Sequence, residues 1–158
     1  MEKTYSEKYA EQDRICIENK AIIEFFLKSF REKHPELELG TRFYTDVTVL
    51  SGPSTAQHEY IAQEHKDLDQ RWKNGEVAIH NVKWAGVSFV TEYKKTYLDD
   101  GKVYVYPKEI PVDAFMICEG KEYPVPVDIA NAISRLYKAQ EYRGAIYAAQ
   151  MAKIVHAM

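Results

Sequence analysis

Apolar residues become denser along the first segment of the chain. Between Thr4 and Lys33 the first half is polar, whereas the second half is apolar on more than one side of a helical pattern. His34-Pro35 ends the pattern, because the residue before a proline avoids helical angles. The sequence therefore predicts a long N-terminal helix over residues 4–33, with its second half buried in a core or an interface.

A strand and a helix are predicted over residues 41–74. Residues 41–50 alternate and are rich in β-branched side chains, which is typical of a strand with one apolar face. Beyond Gly52-Pro53, spacings of three and four residues predict one core-facing helix over residues 54–74. Its stripe consists of His58, Ile61, His65, Leu68 and Trp72.

Residues 76–124 are rich in strand signals. Val87 to Leu98 reads as a long strand, and Asp100-Gly101 is typical of a two-residue hairpin turn. With that turn, Tyr97 would pair with Tyr104 and Lys95 with Tyr106. Glu119-Gly120 marks a further turn after a short apolar run.

The chain closes with helical patterning over residues 128–157, and Asp128 is the expected N-cap. We expect a kink or break between Gln140 and Gly144, where the pattern weakens. The predicted fold class is α+β. It combines a mainly antiparallel sheet of four to six strands with long N- and C-terminal helices and one internal helix. We expect one domain over residues 1–158, with the helices on one face of the sheet.

Length and charge narrow the classes of partner. A chain of 158 residues with a formal net charge of −3 suits one globular domain. Residues 1–79 carry eleven Lys/Arg against fifteen Asp/Glu, and residues 80–158 carry ten against nine. Neither half has the basic excess of a general nucleic-acid binder. The sequence has no membrane-length apolar run and no signal-peptide pattern, which favours a cytoplasmic location without membrane contact.

Candidate chemistry is sparse. Cys16 and Cys118 are far apart in sequence and are expected to be buried thiols. No Cys/His set has zinc spacing and no phosphate loop or nucleophile elbow is present, so no catalytic residue, metal or cofactor is predicted. One alternative remains open, in which His58 and His65 serve a metal-dependent enzyme, although most histidines on such a stripe are core residues.

Tyrosine is unusually frequent, with twelve residues, and several of them lie on the predicted hairpin. Because strand side chains alternate between two faces, several tyrosines share one face of this hairpin, which is a candidate binding face. These side chains could stabilise the sheet by cross-strand pairing or contact a protein. They could also stack the bases of a single-stranded nucleic acid or a nucleotide. Nucleic acid is the less favoured partner because few basic residues lie nearby. The face consists of Tyr93, Lys95, Tyr97, Lys102, Tyr104 and Tyr106.

The last helix carries small residues four apart, at Gly144, Ala148 and Ala152. Such a ridge lets another helix approach closely, and that helix could be the N-terminal helix or belong to a second copy. Together with the apolar Phe26 and Phe30, the ridge predicts self-association, with a homo-oligomer as the expected state.

These patterns favour a non-catalytic cytosolic binding or regulatory protein, of accessory or inhibitor type, that acts by protein–protein interaction. The sequence does not identify the protein partner. Two alternatives remain: nucleic-acid or nucleotide binding through the tyrosine face, and a metal-dependent enzyme that uses the histidine helix.

Overall fold

The computed structural model describes residues 3–37, 39, 47–53, 55–98 and 106–157. Within these ranges, only the backbone is described for residues 55–56, 95–98 and 106–110.

The described residues form four helices and a five-stranded antiparallel sheet, which confirms the predicted α+β class. The helices are α1 (Tyr5–Lys33), α2 (Thr55–Glu64), α3 (Lys66–Lys73) and α4 (Val127–Ala157), and the strands are β1 (Val49–Ser51), β2 (Val77–Val82), β3 (Val87–Leu98), β4 (Tyr106–Cys118) and β5 (Lys121–Pro124).

The strands lie in the order β1-β2-β3-β4-β5, so every neighbour in the sheet is the next strand along the chain. The tight turn between β4 and β5 uses Glu119 and Gly120, as predicted, and both residues have positive φ. A register shift after Glu92 leaves Val112 unpaired between Pro111 and Asp113, which is a β-bulge in β4.

Helix α1 begins and ends where its sequence signals predict. The Thr4 side chain accepts a hydrogen bond from the Glu7 backbone N–H at 3.1 Å, which satisfies one donor of the first turn. His34 is the C-cap and Pro35 follows, so the helix stops before the proline.

The sheet has helices on both faces, so the expectation of helices on one face is wrong. On one face, α1 and α4 cover a core that includes Leu27, Phe89, Met116 and Leu136. On the other face, α2 and α3 cover a smaller cluster of Ile61, Leu68, Val77, Ile79, Val90 and Ile117. The central strands have apolar side chains on both faces of the sheet, as expected when helices pack on both faces.

Two helix boundaries differ from the sequence predictions. The predicted helix over 54–74 is two helices, because His65 has φ −135° and ψ 66° and becomes the N-cap of α3. The predicted break at Gln140–Gly144 is absent, and α4 is continuous over 31 residues. It begins at Val127, so Asp128 lies in the first turn instead of capping it.

The predicted strand over residues 41–50 appears only as β1, since residues 40–46 lie outside the described ranges. In the part of the chain that is described, no helix combines the length and the hydropathy needed to cross a bilayer.

Candidate functional site

Helices α1 and α4 run antiparallel and are joined by polar contacts along their length. Near the start of α1, Asp13 pairs with Arg143 at 2.7 Å, and the Lys153 ammonium lies 5.6 Å from the centre of the Tyr5 ring. These contacts place the first turns of α1 beside the last turns of α4.

Both helices continue well past the core. The last buried residue of α4 is Ala139, and α1 has no buried residue before Cys16. The final eighteen residues of α4 extend roughly 27 Å at 1.5 Å per residue. In the part of the chain that is described, helix α1 packs along one side of this extension.

The uncovered side of the extension is apolar. Residues 144–157 contain one lysine and no acidic residue. Helical periodicity places six of these residues on one exposed face, which points away from the α1 contacts at Arg143 and Lys153. This surface, the α4 end face, consists of Gly144, Tyr147, Ala148, Met151, Ala152 and Val155.

Exposure of the α4 end face is high for large apolar side chains. Val155 is 62 % exposed and Tyr147 is 57 % exposed. Soluble proteins rarely leave contiguous apolar patches uncovered unless they bind something.

The predicted small-residue ridge lies on this face. Gly144, Ala148 and Ala152 are all exposed, and a Cβ built on Gly144 would meet no atom within 4 Å. Of the two partners considered for the ridge, the chain's own N-terminal helix is wrong, because α1 packs elsewhere on α4.

Phe26 and Phe30 occupy a different place from the ridge. Phe30 is buried and its ring lies 5.0 Å from the Tyr123 ring, while Phe26 is half-buried with its ring 6.4 Å from that of Phe89. Because Phe30 belongs to the core of the chain itself, it does not offer a surface to a second copy.

The tyrosine hairpin has a different register from the predicted one. Tyr97 pairs with Pro107 and Lys95 with Glu109, so the predicted pairing of Lys95 with Tyr106 is wrong. The predicted turn at Asp100-Gly101 lies outside the described residues, as does all of 99–105.

Lys102 and Tyr104 of the predicted binding face lie outside the described residues. Lys95, Tyr97 and Tyr106 lie in β3 and β4, and Tyr93 is half-buried. Binding through this face stays a prediction.

The two histidines of the predicted stripe are separated by the α2–α3 break. His58 is exposed on α2, whereas half-buried His65 pairs with Glu122 of β5 and lies beside the Tyr60 ring. Among the described residues, no three His, Cys, Asp or Glu side chains come together as a metal site.

Both cysteines are buried and free, as predicted. Burial raises the pKa of Cys16, and it raises the pKa of Cys118 to about 11. Each thiol is therefore held in its protonated, weakly nucleophilic form at neutral pH.

Sequence reasoning missed His80 as a site residue. It is 7 % exposed in β2, and its ring centre lies 4.7 Å from that of Tyr137. Burial lowers its pKa to about 4, although a hydrogen bond to the Leu50 backbone acts in the opposite direction. The available signal was a histidine at an alternate position between Ala78 and Val82, facing the core.

No family model, curated protein or solved structure matches this chain in the comparisons.

Proposed function

We propose that this protein is a non-catalytic binding protein that acts by protein–protein interaction and self-associates through the α4 end face. The observation that carries the proposal is the exposed, nearly uncharged apolar surface on the extension of α4. In this proposal the assembled protein works in the cytoplasm as an accessory or inhibitor of another macromolecule.

A second copy suits this surface for physical reasons. Two identical helices related by a two-fold axis present the same patch to each other. Any net charge on that patch would therefore face the same charge on the second copy and repel it. The α4 end face contains no charged residue and therefore introduces no like-charge repulsion. Its small residues allow the two helix backbones to approach closely, and Tyr147, Met151 and Val155 supply apolar area around that contact.

Light scattering after size-exclusion chromatography tests the self-association. We expect the wild type to have twice the mass of one chain. Ala148→Glu places a carboxylate in the centre of the paired surface, and we expect a dimer dissociation constant at least about a hundredfold larger. Ala62→Glu is the matched control, because Ala62 is also an exposed helical alanine but lies on α2.

The control variant should retain the wild-type mass. A wild type that is monomeric at micromolar concentration would contradict the proposal, as would equal dissociation by both variants. Circular dichroism of Ala148→Glu distinguishes lost association from lost folding, because α4 should remain helical in the monomer.

A further inference from the structure

A cleft of about 540 Å³ opens between α4 and the central strands. This volume is typical of small-molecule sites in proteins. The residues that carry the argument are His80 and Tyr93 from the sheet and Ser134, Arg135, Tyr137 and Lys138 from α4. The α4 end face lies on a different part of the same helix.

His80 lines the cleft from β2, and its imidazole packs against the Tyr137 ring. Its Nδ1 is buried, so the ring contributes a flat surface to the lining rather than this nitrogen as a hydrogen-bonding atom.

The cleft also has a positive character. Arg135 and Lys138 are one helical turn apart and both line it, whereas no aspartate or glutamate is among the described residues that line it. Arg135 uses its Nε–H in a 3.0 Å hydrogen bond to Asn19, which orients the guanidinium while leaving its other donors for a ligand. Among the described residues, neither cation forms an ion pair with a carboxylate.

Flat and hydroxylated side chains complete the lining. The ring of Tyr137 packs on His80, and Tyr93 lines the cleft from β3. Ser134 adds a hydroxyl beside the two cations. Aromatic surface together with a few directed polar groups is typical of sites for small organic ligands.

We propose that this cleft binds a small organic anion. Its anionic group lies against Arg135 and Lys138, and its planar or apolar body lies along Tyr137 and His80. A phosphate and a carboxylate share the anionic chemistry, so the experiment has one arm for each.

Isothermal titration calorimetry uses adenosine monophosphate as the phosphate probe and 4-hydroxybenzoate as the carboxylate probe. Adenosine and phenol are the neutral counterparts. We expect at least one anion to bind, and to bind at least about tenfold more tightly than its neutral counterpart, because a hydrogen bond to a charged group is stronger than one to a neutral group. The imidazole NMR signals of His80 should shift during that titration.

Two lysine variants locate the binding. Lys138→Gln removes one cation from the cleft, and we expect the dissociation constant of the anion to rise about tenfold. Lys66→Gln is the matched control, because Lys66 is an exposed lysine of α3 on the opposite face of the sheet, and it should leave binding unchanged.

Three results would overturn the proposal. These are no binding by either anion, equal binding by the neutral counterparts, or equal weakening by both lysine variants. Binding that leaves the His80 signals unchanged would place the anion elsewhere and would also contradict it.

Discussion

His80 connects burial to protonation. The histidine packs between the sheet and α4, where desolvation disfavours its charged form and the nearby positive charge of Lys138 acts in the same direction. Its pKa of about 4 in the folded chain lies below the ordinary value of 6.5. Between these two values the unfolded chain takes up a proton that the folded chain does not, so acidification favours unfolding.

We expect the free energy of unfolding to fall by about 2 kcal/mol between about pH 7.5 and about pH 5 through His80 alone. Urea denaturation at both pH values measures this change. His80→Gln should remove that contribution, whereas His156→Gln, at an exposed position near the end of α4, should retain it. Identical pH dependence in all three proteins would show that His80 is not the responsible group.

At the scale of elements, helices α3 and α4 show what periodicity can and cannot predict. The stripe from His58 to Trp72 keeps helical spacing, yet the chain breaks at His65, which contacts Tyr60 and Glu122. Glu122 comes from a distant part of the sequence, and local spacing contains no information about its contact with His65. Periodicity indicates which side chains share a face. One non-helical residue between two helices can leave that periodicity unchanged, so the break is not visible in the pattern.

The reverse holds in α4, where the pattern weakens but the helix continues. Gln140 donates to the Val47 carbonyl at 3.3 Å, and Arg143 pairs with Asp13. Tertiary contacts thus hold the segment in which the sequence predicted a break. One helical glycine costs only about 1 kcal/mol relative to alanine, which such contacts readily offset.

Gly144→Ala should therefore stabilise the chain by about 1 kcal/mol, because the new methyl group meets no neighbour and alanine favours the helix. The measurement is urea denaturation in the Ala148→Glu background, where association does not contribute.

Gly86→Ala provides the matched control for the glycine substitution. Its added methyl group also meets nothing within 4 Å, but Gly86 has φ +68°. Alanine is strained in that left-handed conformation, and we expect a loss of about 1 kcal/mol. Stabilisation by both substitutions, or by neither, would contradict the assignment of Gly144 to a regular helix.

For the whole molecule, the sheet separates two unequal cores. Strand residues Ile79 and Val90 face α2 and α3, whereas Val82 and Phe89 face α1 and α4. Strands β2 and β3 have apolar residues on both of their sides, which is consistent with a sheet that helices cover on both faces. The assignment of helices to one face failed because single-sequence periodicity does not state which helix covers which side.

We expect Leu136→Ala and Leu68→Ala to have different consequences, although both remove a buried leucine side chain. Each should cost about 2–5 kcal/mol where the emptied volume does not collapse. Leu136 lies in the larger core, so its loss should raise amide hydrogen exchange throughout the sheet and in α1. Leu68 lies in the smaller cluster, so its loss should raise exchange mainly in α2 and α3.

Hydrogen exchange followed by mass spectrometry gives the regional pattern for each variant. Equal acceleration in α1 and α3 for Leu68→Ala would show that the two clusters unfold as one unit.

The outer strands of the sheet have a consequence for aggregation. Unpaired strand edges can template fibrils by accepting the backbone of another chain. Here β1 has three residues and is followed by Gly52-Pro53, while β5 has four residues, including Lys121, Glu122 and Pro124. Short length, charge and proline leave few backbone groups on β1 and β5 for an incoming strand. Among the described strands, however, residues 94–98 of β3 have no strand neighbour other than β4, and residues 106–113 of β4 have none other than β3. An incoming strand would therefore meet more unpaired backbone along this half of the hairpin than at the two outer strands.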